Sequence, residues 1–403
     1  MLPDAAGAAP RGQAVVVSAL GIFQILAWGS SYYLLAVLAA PIARDTGWPL
    51  AWIVGALSLG LLVEGLVAPL VGNAIERHGG RPVLAAGALL LAAGLSAMAF
   101  APSLPVFVTA WLVVGAGMGA ALYDAAFSTL GRLYGLRARR AITWLTLFGG
   151  FASTLCWPLS AFLESTLGWR GACLVYAAIQ VVICLPLLFT LLPREARHET
   201  ARARRQSGDG RPRDPIRRRQ FVVIAAAFTI SSAIAAVVSV HLLTLLQARG
   251  VTLGEAVALG ALIGPSQVGA RIVEMLFGQQ RHPVWAMIGS ALLVAAGLGM
   301  LWAGLPLVAA AIVLYGGGMG IRSIVRGSVP LAVFGAEGYA ALMGRLAMPA
   351  LVVGALAPFL GAVLLERFGV DATFGALTVA ALAGVALSLL LLPGLDRGRE
   401  RLT

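Results

Sequence analysis

Charge is scarce in this chain of 403 residues, and lysine is missing altogether. Charged residues make up 11% of the sequence, and all 29 residues counted as lysine or arginine are arginine. A soluble protein with so few charges would be unable to cover its surface with polar groups. Without lysine, the phosphate-binding loop of ATP-driven pumps cannot form, so pumping at the expense of ATP is not expected.

Cysteine is nearly as scarce. Three cysteines, Cys156, Cys173 and Cys184, lie in apolar runs, which predicts no disulfide framework. We interpret them as small core residues, with thiolate binding of a soft metalloid as the alternative. One histidine falls inside a long apolar run and no HExxH pattern occurs, so we expect no cofactor, no resident metal and no membrane-embedded enzyme.

Apolar sequence, by contrast, is abundant. Hydrophobic residues are 60% of the chain and occur in runs of about 18 to 25 residues, the length that crosses a bilayer as a helix. The first run is too long for a signal sequence. This pattern predicts an all-α integral membrane protein. The twelve predicted spans are 14–41, 51–75, 83–101, 106–130, 141–163, 171–192, 221–246, 253–277, 284–303, 306–328, 340–365 and 373–392.

The arginines indicate how these spans are arranged. Ten of them crowd into residues 194–220, which predicts a solvated linker between two six-helix bundles. With both termini cytoplasmic, the cytoplasmic segments hold 21 arginines and the outside loops hold four, as the positive-inside rule requires. We therefore expect a cytoplasmic tail (1–13), a first bundle (14–193), a cytoplasmic linker (194–220), a second bundle (221–393) and a cytoplasmic tail (394–403).

This organisation predicts a multi-pass protein of the bacterial inner membrane that is surrounded by lipid. The net charge of +12 then reflects membrane orientation, and no nucleic-acid partner is expected. We expect the protein to be a monomer.

The two predicted bundles repeat one another. Three matches share an offset of about 200 residues: Gly115–Gly119 with Gly316–Gly320, Pro158 with Pro358, and Pro193 with Pro393. Because each match falls in a span of the same rank, the sequence predicts a duplicated six-helix unit. Parallel repeats about an axis along the membrane normal are a known transporter plan, with substrate held between the halves.

The connection between spans two and three carries a recognisable motif. Its key residues are Gly72, Glu76, Arg77, Gly79 and Arg81. This spacing resembles the signature loop of the major facilitator superfamily, and twelve spans with a charged central loop fit the same family. The loop differs from the family pattern at Gly80, where a second basic residue is usual, and at Glu76, where aspartate is commoner.

In that family the loop latches the two halves in one state, which the resemblance implies for these five residues. The alternative is a basic loop that only fixes topology. The corresponding loop of the second half, 278–283, is degenerate, so a symmetric latch is not expected. Trp111 stands where proton-coupled drug exporters of the family usually carry an arginine.

Ionisable residues inside the spans are functional candidates because they are costly at membrane depth. Asp124 in span four and Arg322 and Arg326 in span ten lie at corresponding depths. Spans one, four, seven and ten line the central cavity in the family. The resemblance therefore implies that Asp124 faces Arg322 or Arg326 across the pathway and leaves the other arginine for an anionic substrate. The alternative is that these charges extend to the headgroups.

Three further charged residues leave alternatives open. Glu64 lies near the middle of span two and is either a proton carrier or the partner of a structural hydrogen bond. Arg271 and Glu274 of span eight are three residues apart and are predicted to pair on one helix face. The alternative is that Arg271 and Gln267 form a substrate surface.

Uncharged polar residues complete the candidate site. His241 in span seven makes either one interhelical hydrogen bond or a proton relay. Span one contains Gln24, Trp28, Ser30, Ser31, Tyr32 and Tyr33, a polar and aromatic cluster suited to a cavity wall or to packing between helices.

The leading hypothesis is a secondary active transporter that moves a small organic, anionic solute by alternating access with coupling to protons. Its partners would be that solute, protons and the bilayer. The rival within transport is proton-driven export of drugs or metalloids through Glu64 or Asp124. A membrane-embedded enzyme and a non-transporting sensor are the other classes, and neither has a supporting motif.

Overall fold

The computed structural model describes residues 12–194, 215–278 and 280–392, and within these ranges it is helical, without strands. Most of the two predicted tails and of the linker lies outside the described residues. The helices are α1 (Gln13–Gly29), α2 (Leu35–Thr46), α3 (Leu50–His78), α4 (Gly80–Ala99), α5 (Leu104–Ala121), α6 (Tyr123–Tyr134), α7 (Ala138–Gly150), α8 (Ala152–Ile179), α9 (Leu185–Leu191), α10 (Pro215–Gln247), α11 (Leu253–Ala261), α12 (Ile263–Val273), α13 (Pro283–Trp302), α14 (Val308–Phe334) and α15 (Tyr339–Leu389).

The predicted all-α membrane fold is confirmed. Within the described ranges, eight helical stretches are long and apolar enough to cross a bilayer. Two of them, with 88 and 51 residues, are far longer than one crossing needs. Gly168 and Gly369, both with positive φ, interrupt helical geometry inside α8 and α15 and divide these stretches. The count of twelve crossings stays a prediction.

Several predicted spans are broken near their centres. The prediction of one continuous helix over 14–41 is wrong, because α1 ends at Gly29 and α2 begins at Leu35. The fourth predicted span is broken at Leu122, which is extended, and the eighth is divided between α11 and α12. Irregular backbone at membrane depth is tolerated only where protein or water covers its polar groups. The residues around these breaks are therefore candidates for the functional site.

The repeated glycines pack in the same way in both halves. In each half they press against the equivalent neighbouring helices, as small residues do in lipid-embedded proteins. A Cβ added to them would overlap neighbours as follows: Gly115 with Gly60, Gly117 with Leu91, Gly316 with Ser266, and Gly318 with Val294. The contacts of Gly115 and Gly316 join α5 to α3 in the first half and α14 to α12 in the second. The contacts of Gly117 and Gly318 join α5 to α4 and α14 to α13.

The two halves meet mainly toward one side, which we call the linker side because residues 194 and 215 lie there. The helices α3 and α15 pack so closely that a Cβ at Gly72 would overlap the carbonyl oxygen of Ala340, and one at Gly344 would overlap that of Ala68. The short helices α6 and α7 also pack on α14. On the opposite side, α2 packs on α3 and α8, and α11 on α10, α12 and α14, each within its own half.

Large apolar side chains remain exposed around the helices. Phe100, Leu70, Val182 and Phe359 each expose 69% or more of their surface. Such a surface would aggregate in water, whereas lipid covers it. The protein is thus a multi-pass membrane protein.

Candidate functional site

The break in the fourth predicted span places an acid at the centre of the molecule. After the extended residue Leu122, Asp124 falls in the first turn of α6, where helix amide groups favour negative charge. Gln24 of α1 donates a 2.7 Å hydrogen bond to the carbonyl oxygen of Ala121, just before the break. Gln24 is fully buried in this conformation, and its place in the substrate site stays a prediction. Its hydrogen bond stabilises the break.

Asp124 pairs with Arg326 across the two halves. Nη2 of Arg326 lies 2.5 Å from Oδ2 of Asp124. The side chains are 20% and 14% exposed, so the pair is largely removed from water. Of the two arginines that the sequence left open, Arg326 is the partner. Because the charges face each other, the alternative in which they extend to the headgroups is wrong for this pair.

Arg322 lies one helical turn before Arg326 and has no carboxylate partner among the described residues. Its Nε atom is buried without a hydrogen-bond acceptor. Tyr315, Asp124 and Tyr32 lie within electrostatic range of its guanidinium. An unpaired guanidinium at membrane depth is costly. Arg322 is therefore the group at this centre that is best suited to an anion.

Glu64 of α3 is the second acid at this level. Its side chain is 5% exposed and lies within electrostatic range of Asp124 and Arg326. Tyr32 also lies in its electrostatic field. In the described part of the chain no group donates a hydrogen bond to Glu64. Of the two alternatives for this residue, the structural hydrogen bond is not formed in this conformation.

Aromatic side chains gather at the break in span one. Tyr32 and Tyr33 lie in the turn between α1 and α2, with ring centroids 5.3 Å apart. Trp28 contacts both rings and also Tyr123 at 5.3 Å. Trp157, which is 45% exposed, meets Tyr33 edge to face. The rings pack between helices, and Tyr32 in addition borders the charged centre.

The predicted pair between Arg271 and Glu274 is wrong. Arg271 donates to the carbonyl oxygen of Thr146 at 2.7 Å, to that of Gly320 at 3.3 Å and to Oε1 of Gln267 at 3.3 Å. It thereby joins the second half to α7 of the first. The physical reason is that α12 gives way to a π-helical segment at Glu274, so the regular three-residue spacing is lost.

Glu274 instead faces Arg139, a residue that the sequence treated only as a topology charge. Nη2 of Arg139 lies 3.4 Å from Oε1 of Glu274. The same guanidinium donates to the carbonyl oxygens of Gly278 at 2.8 Å and Arg281 at 2.5 Å. The loop that looked degenerate in the sequence is thus held to the first half through its backbone. Carbonyl acceptors leave no sequence signal, which is why this contact was missed.

The glycines of the signature loop have clear structural reasons. Gly72 permits the close approach of α3 to α15 described above. Gly79 has φ of 86°, a conformation that side chains disfavour. A Cβ at Gly80 would overlap the side chain of Thr129, so a basic residue does not fit there.

The charged residues of the loop contact the first half. Arg132 donates to the carbonyl oxygen of Glu76 and lies 3.9 Å from its carboxylate. The guanidinium of Arg81 lies 4.9 Å from the ring centre of Phe189. Arg77 is exposed. The latch role of this loop stays a prediction, with Gly72 as its contact to the other half.

His241 makes the interhelical hydrogen bond that was one of its two alternatives. Its Nε2 atom lies 2.8 Å from the carbonyl oxygen of Pro358 and joins α10 to α15.

The three cysteines are buried and free. Among the described residues, no group of three or more histidine, cysteine or acidic side chains is arranged to hold a metal.

Ion pairs on the side opposite the linker tie helix ends together within each half. Asp45 pairs with Arg170 and accepts a 2.9 Å hydrogen bond from the indole nitrogen of Trp169. Asp371 pairs with Arg249, whose guanidinium also donates to two carbonyl oxygens at the end of α13. The hydrogen bonds from Trp169 and Arg170 hold the pKa of Asp45 below its ordinary value.

Comparison with known sequences matches this architecture. A family model described as Major Facilitator Superfamily matches residues 20–279. Monocarboxylate transporter 11 of Mus musculus is 36% identical over 139 residues, 34% of this chain and 29% of that protein. Monocarboxylate transporter 6 of Mus musculus is 33% identical over 129 residues, 32% of this chain and 27% of that protein. The chain thus spans under a third of the length of these curated relatives.

Solved structures share the fold along almost the whole chain. The human organic anion transporter MFSD10 superposes with a TM-score of 0.75 at 18% identity, covering 93% of this chain and 99% of that one. The transporter FucP in the outward conformation gives 0.73 at 13% identity and covers 93% and 98%. The proton:xylose symporter XylE also gives 0.73, at 12% identity, and covers 94% and 95%. At such identities the likeness concerns the fold alone.

Proposed function

Since the chain belongs to the major facilitator superfamily, we propose that it is a secondary transporter that moves a small organic anion by alternating access. The observation that carries this proposal is Arg322, a guanidinium at the centre of the molecule with no carboxylate partner among the described residues. Transporters with parallel repeats hold their substrate between the halves, near the middle of the membrane. In support, Arg322 of the second half lies within electrostatic range of Asp124 and Tyr32 of the first half.

The anion we propose is a monocarboxylate. One guanidinium can bind one carboxylate through two parallel hydrogen bonds. Curated relatives that match about a third of the chain are named monocarboxylate transporters, and one structural neighbour is named an organic anion transporter. These names support a carboxylate over a sugar or a cation.

Glu64 is the residue that we propose to couple transport to protons. Asp124 and Arg326 neutralise each other. In the cluster of Glu64, Asp124, Arg322 and Arg326, an ionised Glu64 makes the net charge zero, whereas a protonated Glu64 leaves one positive charge in excess. Because binding equilibria are reciprocal, a bound proton then favours a bound anion, and the anion favours the proton. One proton and one anion would thus move together.

The contacts between the halves support a cycle in which the linker side opens and closes. In this conformation the pair Asp124–Arg326 and the bonds of Arg139 close that side. We propose that substrate enters from the opposite side, and that both contacts break when the halves rock the other way.

We place the linker and both termini in the cytoplasm of a bacterium and take the monomer as the working unit.

Uptake of radiolabelled lactate into proteoliposomes under an inward proton gradient tests this function. Arg322→Gln is expected to lower uptake by about a hundredfold, because a charge-assisted bond to the substrate is lost. The exposed arginine Arg367 supplies the matched control, Arg367→Gln, which should transport normally. Wild-type uptake in the Arg322 variant would contradict the proposed anion site.

A second variant tests the coupling. Glu64→Gln should abolish the acceleration by a proton gradient while lactate–lactate exchange continues. Uptake that still follows the gradient in this variant would assign the proton to another group.

The alternative of drug or metalloid export gains no support, because Trp111 is fully buried and the three cysteines pack in the interior.

A further inference from the structure

A small cavity lies beside Arg322 inside the second half. Its volume is about 40 Å³, and residues of α10, α13, α14 and α15 line it. A water molecule needs roughly 10–15 Å³ of such space. The cavity therefore holds a few water molecules or one monatomic anion, and a larger organic anion would not fit.

The cavity wall carries a positive charge that no carboxylate compensates. Arg322 is the one charged residue of the described chain that lines the cavity, and its Nε atom is buried without a hydrogen-bond acceptor. The carboxylate within its electrostatic range, that of Asp124, is already bound to Arg326. Because burying an unpaired charge is costly, a small anion in the cavity would stabilise this arrangement.

A free hydroxyl group belongs to the same wall. Ser231 of α10 lines the cavity and makes no hydrogen bond with any described residue, so its hydroxyl hydrogen is available to an acceptor. The hydroxyl hydrogens of Ser290 and Ser388 are not available, because both are donated to backbone carbonyl oxygens at 2.8 Å. Arg322 and Ser231 thus provide donors from two different helices.

The rest of the wall favours a single atom over an oxyanion. Hydrocarbon surfaces come from Phe228, Ile234, Met287 and Val294. Several oxygen atoms of a phosphate or a sulfate would face these surfaces without a hydrogen-bond partner, which is costly. A monatomic anion can turn toward the two donors and leave only van der Waals contacts on its other side.

We propose that this cavity binds one chloride ion, which accepts hydrogen bonds from the guanidinium of Arg322 and the hydroxyl of Ser231. Chloride is the monatomic anion that cells and their surroundings contain in quantity. The bound ion would neutralise Arg322 in the absence of substrate. The first half has Ala121 at the position that corresponds to Arg322 in the repeat, so one ion is expected per chain.

Chloride and the substrate anion would then compete for the same guanidinium, a consequence that rests on the proposed function. Replacing gluconate by chloride at constant sodium should raise the KM for lactate uptake and leave the maximal rate unchanged, because a saturating substrate displaces the ion. Binding of the ion itself does not depend on which solute is transported, so it can be tested without transport.

Thermal unfolding of the purified protein measures this binding. Sodium chloride should raise the melting temperature by about 2 °C or more over sodium gluconate at the same concentration, and sodium bromide should act as chloride does. The shift should vanish in Arg322→Gln and shrink in Ser231→Ala. Ser239→Ala is the matched control, because Ser239 lies on the same helix, does not line the cavity and donates to the carbonyl oxygen of Ala236.

Filling the cavity gives a test that leaves both donors in place. Gly384 lines the cavity, and a Cβ placed on it meets no atom within 4 Å, so Gly384→Val takes up empty space. This variant should lose the chloride shift. Gly289→Val should keep it, since the Cβ position of Gly289 is equally open and lies outside the cavity wall.

The outcomes separate this proposal from the proposed function. Equal melting temperatures of the wild type in chloride and in gluconate would mean that water fills the cavity, and a shift that persists in Gly384→Val and Arg322→Gln would place the ion elsewhere. Either result overturns the chloride site and leaves lactate transport standing. A chloride shift that follows the pattern above in a protein that does not transport lactate would instead overturn the proposed function alone.

Discussion

Arg170 and Asp371 occupy corresponding positions in the two halves and carry opposite charges. Each follows by two residues a glycine with positive φ that separates two helical segments. Arg170 pairs with Asp45, whereas Asp371 pairs with Arg249. The duplicated unit thus has an ion pair at the same corner in both halves, with the signs exchanged. Both halves therefore keep an attraction between opposite charges at this corner, although the acid and the arginine have exchanged helices.

The pair at Asp45 predicts a particular dependence of stability on pH. Its folded-state pKa is lowered, so its contribution is present above the ordinary pKa of aspartate, about 3.9, and is lost as the pH falls through the lowered value. Asp45→Asn should lower the melting temperature of the purified protein at neutral pH, by a small amount because exposed pairs are weak. The difference from wild type should vanish in strong acid.

Glu366→Gln is the control for that measurement, since Glu366 is an exposed acid near the kink of α15, the second-half counterpart of the kinked helix α8. It should leave the melting temperature unchanged at either pH. A difference between Asp45→Asn and wild type that persists after acidification would mean that the side chain acts by packing and not through its charge.

The pair between Asp124 and Arg326 predicts the effects of a charge exchange. Asp124→Asn leaves Arg326 without a partner, and breaking a buried pair costs about 3–5 kcal/mol, so transport should fall by about a hundredfold or more while the protein stays in the membrane. The double variant Asp124→Arg with Arg326→Asp should recover part of the activity. The matched exchange with Arg322→Asp should not, and full activity in Asp124→Asn would refute the gate.

Arg139 should hold the linker side closed. Arg139→Gln removes its ion pair with Glu274 and its bonds to the loop of the second half. Spin labels at Leu136 and Trp285, both exposed and in different halves, can report the opening of this side. Double electron–electron resonance should show an added longer distance in Arg139→Gln. The neighbouring exposed residue gives the control, and Arg140→Gln should keep the wild-type distribution.

Stability and transport should depend on the size of the side chain at position 72 and not on its polarity. Gly72→Val would force α3 away from the backbone of α15 at Ala340, and overpacking of this kind costs about 1–3 kcal/mol. Thermal unfolding of the purified variant should reveal that loss, together with reduced transport. Gly55→Val on the same helix has open space around it and should behave as wild type. Equal loss in both variants would point to helix propensity instead of contact between the halves.

The membrane-embedded fold and the family were readable from the sequence because they depend on local or repeated features. The length of apolar runs fixes which segments enter lipid, and the bilayer then imposes helices. Gly72, Gly79 and Arg81 carry the family signature by spacing alone. Asp124 stood out because a charge inside an apolar run is rare and costly.

The partners of those charges were decided only by tertiary structure. Arg322 and Arg326 share one helix face one turn apart, and the position of α14 along its axis determines which of them meets Asp124. Arg271 and Arg139 bind backbone carbonyls, and every residue has one, so no residue type marks the acceptors. The hydrogen bond from Gln24 to Ala121 was not predicted, because the break at Leu122 is not encoded by proline or glycine. Composition thus determined where this chain resides, whereas the packing of one half on the other determined which of its arginines remains without a carboxylate.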